Sequence, residues 1–167
     1  LEFPVWMSDV NNLEDAKHTI QQIAEMVDRA PEAAYLNHLI SLGFNDLQVL
    51  AMQHPIKKVV YFIWKHPYMV AGQHTFINHI LTMIGFSNVV KSSRYPEVEL
   101  KDLLLLNPDV VFLSSEPYPF QKKHIKEIKA VLPRAAVMLV DGEMFSWYGS
   151  RLVKAVQYLF QLQKEFK

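Results

Sequence analysis

Three short apolar runs, rich in β-branched and aromatic residues, limit the possible folds of this chain more than any other feature. They span residues 58–63, 109–113 and 136–140. Such continuous runs are typical of strands buried on both faces of a sheet. Segments with helical spacing separate or follow them, at residues 75–85, 98–106, 121–132 and 146–166. The alternation predicts an α/β fold, in which a small mainly parallel sheet is flanked by helices.

The first third of the chain has a different, mostly helical pattern. Apolar residues recur every three or four positions over residues 13–28, which predicts an amphipathic helix. Pro31 suits the first position of a second, long helix over residues 31–53, because a proline there loses no hydrogen bond. Gly43 is the weakest point of that helix. Residues 3–7 are predicted to form a short strand, and residues 88–90 a further one.

The charge balance separates the two ends of the chain. Its 167 residues include 17 basic and 17 acidic side chains. Residues 1–56 hold two basic and eight acidic residues, a net charge of −6, and the remainder is therefore +6. The clearest basic series has helical spacing and indicates one solvated helix face: Lys122, Lys123, Lys126 and Lys129. A nucleic-acid-binding domain is usually basic as a whole, so we expect no nucleic-acid partner.

Several classes of site have no signature in the sequence. There is no cysteine, which removes disulfides and thiol nucleophiles but leaves the compartment open. The GxSxG, GxGxxG, GxxxxGK[ST] and HExxH motifs are missing, and His74 and His79 are five residues apart, a spacing unsuited to ligands on one helix face. Two acid pairs could supply an acid and a base, or could equally be solvated loops: Glu97 with Glu99, and Asp141 with Glu143. We therefore expect no protein-ligated metal and can assign no catalytic residue.

The segments that follow the three predicted strands carry the most informative side chains. Ligands of open α/β sheets bind beyond the carboxyl ends of the strands. Exposed rings there, with cationic donors beside them, suit a large ring-bearing or anionic ligand. The alternative is that each ring packs a loop or an interface. The residues are Tyr95, Tyr118, Phe120, Trp147 and Tyr148, with Arg94 and Arg151.

The order and spacing of several motifs resemble a known family. The motifs lie at residues 74–77, 84–89, 94–98, 107–111 and 115–120, followed by 140–143 and 146–151. Together they resemble the C-terminal lobe of class III periplasmic binding proteins, the substrate-binding proteins of cobalamin and iron-siderophore ABC importers. Within that family they are most similar to the branch described as helical-backbone metal receptors. The resemblance covers most of residues 57–167.

The resemblance also implies a domain organisation. Members of this family have two α/β lobes joined by one long rigid helix. By that comparison residues 1–30 are a remnant of the N-terminal lobe, residues 31–54 are the linker helix, and residues 55–167 are the C-terminal ligand-binding lobe. The first residues, from Leu1 to Met7, do not resemble a signal peptide. By the same comparison most of an N-terminal lobe is missing, so the chain is either a fragment or a diverged half-protein. We expect a fragment, because half a cleft would hold ligand weakly, and it could self-associate through surface that the missing lobe would cover.

The implied function is transport rather than catalysis. A receptor of this family is periplasmic or anchored outside the cytoplasmic membrane, where it captures cobalamin, haem or a ferric siderophore and delivers it to an ABC transporter permease. It needs no cofactor. The residues that match its cleft by position, or that we expect beside it, are Trp64, Arg94, Tyr95, Glu116, Tyr118, Phe120, Trp147, Tyr148 and Arg151.

One departure from the family concerns docking to the permease. Cobalamin receptors dock through an exposed acid on each lobe, and the usual Glu of this lobe falls at Lys101. The role could pass to Glu99 or Asp102, or docking could differ. Two other functions stay open at this stage: an α/β enzyme or nucleotide-binding domain of unknown substrate, and a module for protein interaction.

Overall fold

A computed structural model describes residues 3 and 5–166 of the chain. One five-stranded sheet lies at its centre. The strands are β1 (Lys57–Trp64), β2 (Met69–Val70), β3 (Phe86–Asn88), β4 (Val110–Ser114) and β5 (Ala136–Val140). β1 pairs in parallel with β3 and β4, β4 pairs in parallel with β5, and only β2 is antiparallel. The prediction of a small, mainly parallel sheet containing the three apolar runs is confirmed.

Helices cover both faces of this sheet. They are α1 (Leu13–Met26), α2 (Ala30–Ala51), α3 (Phe76–Met83), α4 (Leu100–Leu106), α5 (Lys122–Val131), α6 (Glu143–Ser146) and α7 (Arg151–Lys164). Local side chains define several ends: Asn12 accepts a hydrogen bond from the Asp15 N–H at the start of α1, and Thr75 caps α3 in the same way. Gly85, with φ +85°, follows the end of α3. Among the described residues, no helix combines the length and apolar character needed to cross a membrane.

The first face of the sheet packs against α2, α3, α6 and α7, with α1 outside α2. Ile40 and Phe44 of α2 and Leu159 of α7 are fully buried in this core. Gly43 lies where α2 meets α7, since a Cβ on it would stand 2.6 Å from Cγ2 of Val156. The glycine that weakens α2 as an isolated helix therefore lets the two helices approach closely.

The second face is covered by α4 and α5. Leu103 and Ile128, one from each helix, are fully buried against Val60 and Val111 of the sheet. Each helix leads into a parallel strand and must return across the sheet to reach it. The C-terminal ends of both helices therefore lie at the amino edge of the sheet, opposite the edge where β1, β4 and β5 end.

Two local predictions are wrong. Residues 3–7 form no strand in the part that the structure describes, and Phe3, Val5 and Met7 are exposed, because no neighbouring strand offers backbone groups for pairing. The predicted helix 146–166 is interrupted: α6 ends at Ser146 and α7 begins at Arg151, separated by a turn in which Gly149 has φ +96°. The strand predicted at residues 88–90 occurs two residues earlier, as β3.

Candidate functional site

The loop after β5 is held close to the loop after β4 at the carboxyl edge of the sheet. The backbone N–H of Gly142 donates to Oγ of Ser115 at 3.0 Å. A Cβ on Gly142 would stand 2.3 Å from Oγ of Ser114 and 2.6 Å from Cγ of Glu116. Only a residue without a side chain fits there, so Gly142 allows α6 and the residues after it to approach Glu116.

Trp147 is fixed by polar contacts while one part of its ring stays exposed. Its indole Nε1–H donates to Oε1 of Glu116 at 2.6 Å, and the Ser146 hydroxyl donates to the same oxygen at 2.9 Å. The Arg151 guanidinium lies 5.2 Å from the centre of the indole ring and pairs with Glu143, with 2.8 Å between Nη2 and Oε2. Trp147 is nevertheless 47% exposed. The arrangement orients a large aromatic surface towards solvent.

Tyr148 and Tyr95 extend this aromatic surface. The Tyr148 ring packs edge-on against Phe76 of α3, with 5.7 Å between ring centres. Burial raises the pKa of Tyr95, the Arg94 guanidinium opposes that shift, and Tyr148 adds to it. Both tyrosines remain partly exposed, so they offer ring faces and hydroxyl groups to a ligand.

The segment that carries Tyr95 is anchored to the chain after β2. The Gly72 N–H donates to the carbonyl oxygen of Arg94 at 2.8 Å, and the Arg94 N–H donates to the carbonyl oxygen of Gln73 at 2.8 Å. A Cβ on Gly72 would lie 2.1 Å from the carbonyl oxygen of Ser92, so this contact also needs glycine. The Arg94 side chain donates to Oδ1 of Asn11 at 3.1 Å, which links the edge to the start of the chain.

A second aromatic group lies on the α5 side of the same edge. Trp64 packs edge-on against Tyr118, with ring centres 5.8 Å apart, and Tyr118 packs against Phe120 at 4.8 Å. Phe120 is only 5% exposed and contacts Phe62 in the core. The expectation that Phe120 presents a surface to ligand is therefore wrong, because its ring fills the core beneath Tyr118.

His124 supports this second group from below. It is buried, its Nδ1 accepts from the Gln121 N–H at 2.8 Å, and its Nε2 lies 3.5 Å from the Tyr118 hydroxyl. Burial lowers the pKa of His124, and the nearby Lys65 acts in the same direction. The imidazole is therefore neutral. Its Nδ1 accepts a backbone hydrogen bond at the start of α5, and its ring packs against that of Tyr118.

Within each acid pair of the sequence, the two carboxylates are not in contact with each other. Oδ1 of Asp141 accepts from the Glu143 N–H at 3.1 Å, while the Glu143 carboxylate pairs with Arg151. Glu99 pairs with Lys101 at 2.7 Å, on an exposed surface at the start of α4. Asp141, Glu143 and Glu99 are thus each engaged with a different partner, and no contact joins the two acids of either pair through their carboxylates. Within residues 3 and 5–166, no three histidine or acidic side chains are grouped as a metal site would require.

The partners that fix the exposed rings, Gly142, Glu143, Ser146 and Phe76, cannot be identified as such from the sequence. The available signal was position, since three of the four lie in or just before α6, in the segment that follows β5. The hydrogen bonds that Ser146 and Trp147 donate to Glu116 join residues about 30 positions apart, and the periodicity of apolar residues gives no indication of such distant contacts.

Comparison with known proteins identifies the fold. No family model matches the sequence. A possible iron-binding, periplasmic solute-binding protein from Staphylococcus epidermidis has a TM-score of 0.80 and 18% identity, over 96% of this chain and 65% of that one. For IsdE of S. aureus complexed with heme the TM-score is 0.77 and the identity 20%, over 96% and 67% of the two chains. For the periplasmic vitamin B12 binding protein BtuF of Vibrio cholerae the TM-score is 0.75 and the identity 16%, over 98% of this chain and 66% of that one.

These structures are binding proteins rather than enzymes, and this chain spans about 65% of the length of the first of them. At such low identities the likeness concerns the arrangement of helices and strands. The carboxyl edge described above therefore belongs to a chain whose fold is that of the class III periplasmic binding proteins.

Proposed function

We propose that this chain is a ligand-binding part of the substrate-binding component of an ABC importer, with cobalamin, haem or a ferric siderophore as its ligand. The observation that carries the proposal is Trp147, which Glu116 and Arg151 hold with its ring exposed at the carboxyl edge of the sheet. Such a fixed aromatic surface suits a flat ring system, because little side-chain entropy is lost on binding. Solved structures with this fold include a vitamin B12 binding protein and a protein complexed with heme.

The exposed aromatic and basic side chains would contact different parts of the ligand. Trp147, Tyr148 and Tyr95 would contact the ring of the ligand, and Trp64 and Tyr118 would form a neighbouring wall. The two arginines of the edge would pair with acidic groups on a ligand that carries them. Arg151 already contacts Glu143, so an acidic group would have to share or replace that pair.

We also propose the domain organisation that the family suggests: residues 1–30 from an N-terminal lobe, residues 31–54 as the linker helix, and residues 55–167 as the second lobe. Exposed apolar side chains concentrate in the first of these segments, which supports a missing covering surface. Among the described residues they are Phe3, Val5, Trp6, Met7, Ile23, Met26 and Val27. In the absence of that lobe, the same surface would favour self-association.

For docking to a permease we propose Asp102, in the first turn of α4. Glu99 is the other acid of this segment, and its carboxylate already pairs with Lys101. Asp102 is exposed and lies on the same short helix. The proposed site of action is the periplasm or the outer face of the cytoplasmic membrane.

A binding measurement tests the ligand proposal. The full product of the gene that encodes this chain is titrated with cyanocobalamin, haemin and ferric siderophores by calorimetry and absorbance. We expect one of the three classes to bind, and Trp147→Ala to weaken that binding about tenfold to a hundredfold, the usual effect of losing one aromatic anchor. Tyr35→Ala is the matched control, because Tyr35 is an exposed aromatic residue on α2, outside the edge.

Two results would overturn this proposal. One is the lack of binding by all three ligand classes, and the other is equal affinity in Trp147→Ala and the unsubstituted protein. The domain proposal is tested separately by the gene. An export signal and a second α/β lobe encoded before Leu1 would support it, and a reading frame that starts near Leu1 would contradict it.

A further inference from the structure

The Arg151 guanidinium covers one face of the Trp147 ring. Its Cζ lies over that ring, 5.2 Å from the ring centre. At the edge of the indole, the Nε1–H donates to Oε1 of Glu116 at 2.6 Å. Partners within the chain therefore occupy one face and the polar edge of the ring. Because Trp147 is still 47% exposed, its opposite face is the surface that remains for a ligand.

The same guanidinium is engaged in an ion pair. Nη2 of Arg151 lies 2.8 Å from Oε2 of Glu143, and the two side chains are 31% and 33% exposed. The Glu143 backbone N–H donates to Oδ1 of Asp141 at 3.1 Å, which holds the start of α6 in place. An acidic group on a ligand could pair with Arg151 only by displacing the Glu143 carboxylate, which would then repel it. These contacts indicate that Arg151 serves the indole rather than a ligand acid.

A cation over one face of the indole favours stacking on the other face. The faces of an aromatic ring carry negative potential, which opposes stacking on a second electron-rich ring. The guanidinium offsets that potential from the opposite side. Tyr148 and Tyr95 are 46% and 40% exposed and extend the surface beyond the indole. Such a surface matches the broad face of a macrocycle better than a ferric siderophore, in which the chelating groups wrap around the iron.

We propose that the ligand of this edge is a tetrapyrrole, whose macrocycle stacks on the face of Trp147 opposite Arg151. Arg151 is then a positioning residue, which orients the indole and favours its stacking but forms no ion pair with the ligand. Of the two arginines of the edge, only Arg94 is left for an acidic group, and its contact with Asp9 is longer, at 3.8 Å. This inference rests on the proposed function and narrows it to one ligand class and one mode of contact.

Tetrapyrroles in acidic and neutral forms test the role of Arg151. Haemin is compared with its dimethyl ester, and cyanocobalamin with its monocarboxylic acid, by titration of the full product of the gene that encodes this chain. Arg151→Gln should weaken binding of the acidic and neutral forms by the same factor, about twofold to fivefold, the usual contribution of an exposed cation–π contact. Lys154→Gln is the matched control, because it removes one exposed positive charge from the same helix, and it should change neither affinity.

A second variant keeps the test decisive if circular dichroism shows that Arg151→Gln is poorly folded. Glu143→Gln frees the guanidinium from its carboxylate partner and leaves the arginine in place. If Arg151 recognised a ligand acid, this variant would bind the acidic forms about tenfold or more tightly relative to the neutral forms, the usual gain from a hydrogen bond between charged groups. We expect that ratio to change by no more than about twofold, the effect of one exposed charge.

Three outcomes would refute this inference. The first is binding of a ferric siderophore without binding of haemin or cyanocobalamin, which would leave the proposed function standing and exclude the tetrapyrrole. The second is a loss of affinity in Arg151→Gln, or a gain in Glu143→Gln, that is confined to the acidic forms. The third is equal affinity in Arg151→Gln and Lys154→Gln. Absence of binding by all three ligand classes would instead overturn the proposed function, so the two failures are distinguishable.

Discussion

Two aromatic groups at the same edge of the sheet are stabilised in different ways. On the α5 side, Tyr118 packs on Phe120, and Phe120 is continuous with the core. On the α7 side, Trp147 is held by hydrogen bonding to Glu116 and by the Arg151 guanidinium over its ring. The first group gains its position from apolar burial and the second from polar contacts at the surface. Phe120, whose position is fixed by the core, presents no surface at the edge, whereas Trp147, which is fixed by polar partners, is 47% exposed.

The largest expected effect separates these two groups by stability. Phe120→Ala removes a buried ring and should lower the free energy of unfolding by about 3–5 kcal/mol. Trp147→Ala removes a half-exposed ring and should lower it by about 1 kcal/mol or less. Urea denaturation followed by circular dichroism measures both. Similar losses in the two variants would mean that the comparison between a packed and a presented group is wrong.

The next effect concerns the close approach that brings α6 to Glu116. Gly142→Ala places a methyl group against Oγ of Ser114 and Cγ of Glu116. Overpacking of this kind typically costs about 1–3 kcal/mol, and the displacement of α6 should also weaken ligand binding. Denaturation and ligand titration of the same variant test both parts. An unchanged midpoint would show that the loop relaxes freely and that the glycine is not required.

The parts of the fold that were predictable are those that follow from local patterns. β1, β4 and β5 were recognisable because each is an apolar run of strand length. The ends of α3 were recognisable because Thr75 is a favourable N-cap residue and Gly85 is favourable just after a helix. Residues 3–7 have the same local appearance as a strand, yet pairing depends on a neighbour that the pattern does not report. The break between α6 and α7 contains Gly149 and Ser150, which are turn-forming residues, but apolar residues with helical spacing on either side favour one continuous helix.

The candidate site was predictable in its residue types but not in its contacts. The position of Trp147 and Tyr148 after a buried strand was enough to place them at the ligand edge. That Phe120 lies in the core while Trp147 is exposed depends on what each ring meets after folding. Nothing in the spacing of Glu116, Ser146 and Glu143 indicates which acid holds the indole and which holds the arginine.

A smaller effect should follow from the hydrogen bond that orients the indole. Glu116→Ala removes the acceptor of both the Trp147 Nε1–H and the Ser146 hydroxyl, so the ring should become mobile. We expect ligand affinity to fall about threefold to tenfold, in line with one partly exposed hydrogen bond. Glu116→Gln retains an acceptor oxygen and should bind nearly normally. Steady-state anisotropy of a variant with Trp147 as its only tryptophan would report the mobility, and equal anisotropy in both variants would contradict this role.

The smallest effect is a pH dependence in the packed group. Burial lowers the pKa of His124 from the ordinary value of 6.5, with Lys65, Lys123 and His66 acting in the same direction and Glu127 opposing them. Between the lowered pKa and about 6.5, the unfolded chain binds more protons than the folded chain. Stability should therefore be full above pH 6.5 and decrease as the pH falls towards the lowered pKa, because the proton would also remove the acceptor of the Gln121 N–H.

Two substitutions assign this pH dependence to His124. The Asn side chain of His124→Asn keeps an acceptor oxygen near the position of Nδ1 but does not titrate. Between about pH 7 and pH 5, the range in which histidine titrates, the unfolding free energy of this variant should therefore decrease less than that of the unsubstituted protein. Part of the decrease should persist, because burial also lowers the pKa of His79, against the opposing charges of Asp15 and Glu14. His38→Asn changes an exposed histidine on α2 and should retain the whole dependence. If His124→Asn and His38→Asn gave the same profile, the imidazole beneath Tyr118 would not be the source, and the packed aromatic group would be insensitive to pH.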